Sequence, residues 1–243
     1  MTSLKRALLL VGSAKPAGQS TSESLGDYLL AQLTAQGFTA EKLYLHRALR
    51  SAPRRQALLT AVAQADLLVL AFPLYVDSLP YLVTSALELI ATERQSHHHP
   101  NPLHLVALVN CGFPEARQNE TALAICREFA RQTQMHWAGG LALGQGGSIA
   151  GQPLTAVGGM VRHVRQALDL TAAALTQGQP VPAEAVALAA KPLMPTFFYT
   201  MMGNLGWHLQ ARKQGAWSKL RAQPFTETVS TSSADDVLTG NCA

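Results

Sequence analysis

Ala7-Leu8-Leu9-Leu10-Val11-Gly12-Ser13 decides the fold, together with the turn that follows it. The apolar run has no polar interruption, which is the pattern of a strand buried on both faces of a sheet. Gly12-Ser13 stops it, and Ala14 to Ser22 is small, polar and turn-forming. Ser20-Thr21-Ser22-Glu23 then reads as a helix start. Ser20 and Glu23 have capping-box spacing, and Leu25, Leu29 and Leu33 carry a helical apolar stripe beyond it. A buried strand, a hydroxyl-rich loop and a helix N-terminus together form an anion site, because free N–H groups and the positive end of the helix dipole converge there. Roughly ten residues separate strand from helix, where such connections usually take about two to six. An ordinary well-capped connection is the alternative. No Gly-Lys-Ser/Thr closes the loop, so a triphosphate site of the P-loop kind is not supported. The loop suits a monophosphate held by hydroxyls and backbone, with Lys15 either reaching it or pointing into solvent.

Composition bounds the rest. The 243 residues are 48% hydrophobic and 14% charged, which favours a sizeable core over a disordered or fibrous chain. No apolar run reaches the roughly 18–20 residues needed to span a bilayer. Lys5 and Arg6 lead straight into the first strand without a small-residue cleavage site, so the start does not read as a signal peptide. The three cysteines, Cys111, Cys126 and Cys242, are odd in number and widely spaced. That argues against a disulfide framework or a zinc site and fits a reducing compartment, with a cytoplasmic enzyme as the default. A net charge of +4 would steer an anionic ligand but is too small and scattered to imply nucleic acid.

Taken in order, Phe38 to Leu45 reads as a second strand with Glu41 and Lys42 exposed, and Pro53 to Gln64 as a helix. Asp66 to Phe72 is another buried strand. The loop from Pro73 to Leu79 follows, and Pro80 opens a helix to about Thr92. Leu103 to Asn110 is the fourth strand, Asn119 to Thr133 a helix, and His136 to Leu143 the fifth strand. Met160, Val164, Leu168 and Leu175 mark a fifth helix. Alternating strands and helices predict an α/β fold: a doubly wound, five-stranded parallel sheet of order 2-1-3-4-5 with right-handed crossovers. Ligands in such sheets lie outside the strand carboxyl ends where the order reverses, here between the loops that follow strands one and three.

These loops resemble a known family. Gly12-Ser13 with Gly18-x-Ser20-Thr21-Ser22-Glu23-x-Leu25 is similar to the FMN-phosphate loop of the flavodoxin-like NAD(P)H-dependent oxidoreductases and FMN reductases. Pro73-x-Tyr75-x-x-Ser78-x-Pro80 resembles that family's isoalloxazine loop. Asn110-Cys111-Gly112-Phe113-Pro114-Glu115 and Trp137-x-Gly139-Gly140 resemble its fourth-strand loop and fifth strand. The family often carries Pro-Arg after the first Gly-Ser, where Ala14-Lys15 stands here. It often has an Asn-Gly-type turn where this chain has Val76-Asp77-Ser78. The resemblance implies FMN as cofactor and NAD(P)H as electron donor, with electrons passing to a flavin, quinone, nitro or azo acceptor. It implies a homo-oligomer as well. Ser13, Ser20, Thr21 and Ser22 would hold the phosphate. Pro73, Leu74, Tyr75, Val76, Asp77 and Ser78, with Asn110, Cys111, Gly112 and Phe113, would line the ring system. No catalytic side chain is assigned. A flavodoxin-type electron carrier and a cofactor-free interaction protein on the same fold are the rival readings.

The remaining candidates are weaker. Tyr75 either stacks beside a ring or packs on its own loop. Cys111 reads better as a small buried residue than as a reactive thiol, since no base or cation adjoins it in sequence. His97, His98, His99 and His104 lack zinc-motif spacing and read as a solvated loop, so no metal site is assigned. Gly144-x-Gly146-Gly147 follows the last strand and has Ile149 where a dinucleotide fingerprint needs its third Gly. Gly144 to Gly159 reads instead as a flap at the ligand edge. The expected organisation is an FMN-binding domain over 1–178, a helical extension over 179–225 and a disordered end over 226–243. In the extension, Pro195 to Gln214 is a helix candidate with Phe197, Met201, Leu205 and Leu209 on one stripe and Phe198 and Met202 beside it. Arg212, Lys213, Lys219 and Arg221 follow with no acidic residue up to Phe225. Contact with the chain's own domain or a second copy is the expectation, ahead of a membrane surface.

Overall fold

The computed structural model describes residues 5–96 and 102–223. Five parallel strands form one sheet in the order β2-β1-β3-β4-β5. They are β1 (Arg6–Val11), β2 (Thr39–Tyr44), β3 (Leu67–Pro73), β4 (His104–Asn110) and β5 (His136–Leu143). The sheet is in register along its centre, with Leu8 beside Leu68 and Leu10 beside Leu70, and Val69 beside Val106 on the other side of β3. This is the flavodoxin-like, doubly wound arrangement expected from the strand pattern.

The uninterrupted apolar runs are explained by two cores. Ala7, Leu9 and Val11 of β1 face one side with Leu67, Val69 and Ala71 of β3. Helix α1 (Thr21–Ala35) covers that side through Leu25, Leu29 and Leu33, and α6 (Arg162–Thr176) through Val164, Leu168 and Leu175. Leu8 and Leu10 face the opposite side with Leu68, Leu70 and Phe72. The short α2 (Leu45–Ala48), α3 (Ala52–Gln64), α4 (Tyr81–Ser96) and α5 (Glu120–Gln132) close it. Burying one Leu or Phe contributes roughly 1.5–3 kcal/mol, so each interior strand strongly fixes its own register.

The structure differs from the sequence reading at several points, three of them in how the core is built. Strand β2 ends at Tyr44, because Leu45 turns inward and starts α2. Lys42, expected to be exposed, is half-buried under an ion-pair network. The core also continues past Gly178: α7 (Ala183–Ala189) places Ala185 and Ala189 in the first core, and Leu193 joins them. Val181 N–H donates to Ala138 O (2.7 Å), which ties this segment to β5 where an extra residue offsets the pairing with β4.

Contacts divide the chain into two compact units, 1–199 and 200–243. Helix α8 (Thr196–Lys213) begins in the first and runs into the second, and none of its residues is buried. Phe197, Phe198, Met202, Leu205, Trp207 and Leu209 are all exposed. Among the described residues no helix is long and apolar enough to cross a membrane. The readings for His97, His98 and His99 and for 226–243 lie outside the described residues.

Candidate functional site

The carboxyl edge of the sheet carries a cleft of about 240 Å³ between the loops that follow β1, β3 and β4. Ser13, Lys15 and Ser20 to Ser22 line one part. Pro73, Leu74 and Tyr75, with Asn110, Cys111 and Gly112, line another, and Gly146, Gly147 and Ala150 close it. Every strand of the argument from sequence meets here except the rim. Val76, Asp77 and Ser78 form a tight turn beside the cleft, and Phe113 is about half exposed. A larger cavity of about 350 Å³, bordered by Lys5, Phe38 and His104, lies at the opposite, amino edge. That edge is where open α/β sheets do not place ligands.

The anion loop is built by its own hydrogen bonds. Gly12 N–H still donates to Ala71 O (2.8 Å), so β1 extends into the turn. A Cβ on Gly12 would lie 2.3 Å from Val83 Cγ2, which is why only glycine lets the chain pass there. Ser13 Oγ accepts Lys15 N–H (3.2 Å), and Gly18 turns with φ +77°. Ser20 is the N-cap: its Oγ accepts Glu23 N–H (3.3 Å). The Glu23 carboxylate does not return to Ser20 as in a regular capping box. It accepts Gly18 N–H instead (2.7 Å). Ser20, Thr21 and Ser22 N–H therefore have no acceptor among the described residues.

The hydroxyls play a different part from the one expected of them. Thr21 Oγ1 donates to Gly146 O (2.7 Å), and Ser22 Oγ donates to Asn110 Oδ1 (2.7 Å). They tie the start of α1 to the loops after β5 and β4. The groups able to donate into the cleft include the three N–H groups, the Ser13 and Ser20 hydroxyl protons and the Lys15 ammonium. No carboxylate lines it. The donor set suits an anion.

At the other end, Cys111 N–H donates to Leu143 O (3.0 Å) and Leu74 N–H to Asn110 O (2.8 Å), which ties the ends of β3, β4 and β5 together. Asn119, fully buried, donates to Cys111 Sγ (3.4 Å) and to Leu143 O (3.2 Å). Burial pushes the Cys111 thiol above its ordinary value, against the Phe113 carbonyl and Asn119 contacts, so it is protonated at neutral pH. The reading of Cys111 as a small buried residue fits this. The cleft lining holds no carboxylic acid and no histidine to serve as acid or base. Cys111 and Cys126 are free thiols. Among the described residues no group of His, Cys, Asp and Glu could hold a metal ion. His104 lies instead against His136, ring centroids 5.1 Å apart, and burial and that neighbour both lower its pKa.

Sequence reasoning missed two residues. Tyr199 OH donates to Gly112 O (2.7 Å), bringing the start of α8 onto the fourth-strand loop. Gln145, buried and left-handed (φ 56°), holds Met194 by both backbone groups (2.9 Å each). Tyr199 lies off the apolar stripe of its helix, and an isolated Gln carries no pattern, so neither gave a signal.

No protein-family model matches the chain, and no curated protein matches it. Solved structures do. An NADH:FMN oxidoreductase in its apo form is similar over 79% of this chain and 96% of its own, at 17% identity and TM-score 0.54. An azoreductase from Bacillus anthracis str. Sterne aligns over 68% of this chain and 99% of its own, at 12% identity and TM-score 0.46. An NAD(P)H:quinone oxidoreductase from Methanothermobacter marburgensis aligns over 59% and 85%, at 15% identity and TM-score 0.45. The first of these likenesses shows the fold.

Proposed function

We propose that this chain is an FMN-dependent oxidoreductase that takes hydride from NAD(P)H and passes electrons to a small-molecule acceptor, a flavin, quinone, nitro or azo compound. One observation carries the reading: a donor-lined, carboxylate-free cleft lies at the carboxyl edge of the sheet where strand order reverses. The residues present fit the cofactor. The unpaired N–H groups of Ser20 to Ser22, the Ser13 hydroxyl and Lys15 would hold the phosphate. Pro73 to Tyr75 and Asn110 to Gly112 would border the ring system, and a Cβ on Gly112 would meet nothing within 4 Å, so the loop leaves room there. FMN, when bound, accepts a hydride and gives up its electrons to a second substrate.

The chain's own part is binding, orientation and access. Its cleft, about 240 Å³, is smaller than the roughly 300–1,000 Å³ of sites that enclose a ligand, and such a cleft would leave part of a bound flavin accessible to donor and acceptor. With no carboxylic acid or histidine in the lining, no side chain is assigned as acid or base. The likeness to an NADH:FMN oxidoreductase over most of both chains supports an enzyme over a carrier.

The test is direct. The purified protein, or its apo form titrated with FMN, should show bound-flavin absorption, and NADH or NADPH should be oxidised at a rate that rises with added quinone or free flavin. Flavin binding without pyridine-nucleotide oxidation would leave the carrier. Absence of flavin binding would leave the interaction protein.

A further inference from the structure

Glu23 is an anomaly in an anion site. Its residue is only 5% exposed, and it lies in the first turn of the helix whose N-terminus would face a phosphate. A carboxylate there repels a second anion, and the repulsion is least screened where water is excluded. Yet the group is ionised. Burial alone would raise its pKa, but hydrogen bonds from Tyr44 and from Gly18 N–H, with the Lys42 ammonium, hold it below the ordinary carboxylate range.

The geometry shows what the carboxylate does and what keeps it harmless. Oε2 takes Gly18 N–H, which fixes the loop turn and leaves Ser20 N–H free. Oε1 takes Lys42 Nζ (3.0 Å) and the Tyr44 hydroxyl. Lys42 also pairs with Asp27 (2.8 and 2.9 Å), whose side chain is 46% exposed. Arg47 and His46 lie against the Tyr44 ring at 4.9 and 5.6 Å, one residue removed from the carboxylate. Lys42 is thus the one cation bonded to Glu23 among the described residues.

We propose that Lys42, on the edge strand β2 and outside the cleft lining, is the positioning residue that lets the loop accept a phosphate dianion. It offsets the Glu23 charge and anchors that carboxylate on Gly18 N–H. This rests on the flavin monophosphate reading and names the feature that would make the site prefer FMN to riboflavin, which has the same ring system and no phosphate.

The experiment uses full-length protein stripped of flavin, titrated with FMN and with riboflavin at low ionic strength, with flavin fluorescence as readout. The unchanged chain should prefer FMN. K42M should weaken FMN binding by about tenfold or more and leave riboflavin binding within about twofold. K42R, which keeps the charge, should hold FMN within a few-fold. E23Q/K42M, which removes both charges, should recover most of the lost FMN affinity. Equal loss of both flavins in K42M, or a double variant no better than K42M, would overturn the proposal, since either outcome marks a merely structural strut. Circular-dichroism melting of each variant establishes that folded protein is being titrated. A wild-type chain that binds neither flavin would instead remove the cofactor reading itself, and this role with it.

Discussion

Val76 and Asp77 have φ of 49° and 55°, between Tyr75 and Ser78, whose N–H and C=O groups bond each other at 3.0 Å in both directions. That is a two-residue turn of the primed kind, which strongly prefers Asn-Gly because both central residues need positive φ. Sequence suggested that this chain departs from an Asn-Gly turn here. The residues depart and the backbone does not. A β-branched residue in this region stores about 1–3 kcal/mol of strain, and Val76 is 99% exposed with no packing to offset it. Val76→Asn should therefore raise the unfolding free energy by about 1 kcal/mol in urea denaturation. Two titrations belong to the same scale. Burial pushes the Cys126 thiol up to about 12 and raises Cys111 as well, so iodoacetamide at pH 8 should leave both peptides unmodified in folded protein and label them in urea. The lowered pKa of Glu23 means that its stabilising contribution is complete above its ordinary value of 4.5 and is lost as pH falls through the lower folded value. In flavin-free protein, the stability gap between wild type and Glu23→Gln should be widest near neutral pH and close as pH falls below the ordinary carboxylate range.

Among the elements, strands and helices were largely legible because their faces are simple. The unbroken runs at Ala7 to Val11 and Leu67 to Phe72 have one solution, a strand with a core on each side. Ser20 as N-cap followed from local chemistry. What escaped was whatever depends on chain brought from far away. The three cleft loops were found, but the Thr21 and Ser22 hydroxyls looked like phosphate donors because Gly146 and Asn110, their acceptors, lie 125 and 88 residues off. The glycine-rich loop after β5 was placed at the ligand edge, and the reason for one of its glycines is now visible. Gly151 has φ +83°, and a Cβ there would stand 2.4 Å from Gln19 C and 2.7 Å from Ser20 N. Gly151→Ala should push directly on the anion loop, lowering stability by about 1–3 kcal/mol and weakening FMN binding in the same titration that measures the wild type.

At the scale of the molecule, the exposed apolar side chains of α8 set the expected behaviour in solution. Phe198, Met202, Leu205 and Leu209 recur at helical spacing and all are exposed, and contiguous apolar surface of this kind marks interaction sites. A second copy is the proposed cover. Light scattering should give a mass above the 26.0 kDa of one chain, and Met202→Glu with Leu205→Glu should shift it toward that value. Sedimentation of the wild type with anionic vesicles at monomer mass would point to a lipid surface instead. The two-sided core has a further consequence, for synthesis. All five strands are synthesised by residue 143, yet the face shared by Leu9, Val69 and Leu108 is closed by α6 and α7, which end at residue 189. Until those helices leave the ribosome, α1 alone shelters that side. Nascent chains stalled so that residue 150 has just cleared the exit tunnel should consequently be strong clients for chaperones and protease-sensitive, and chains stalled far enough on that residue 189 has cleared it should become resistant in a single step.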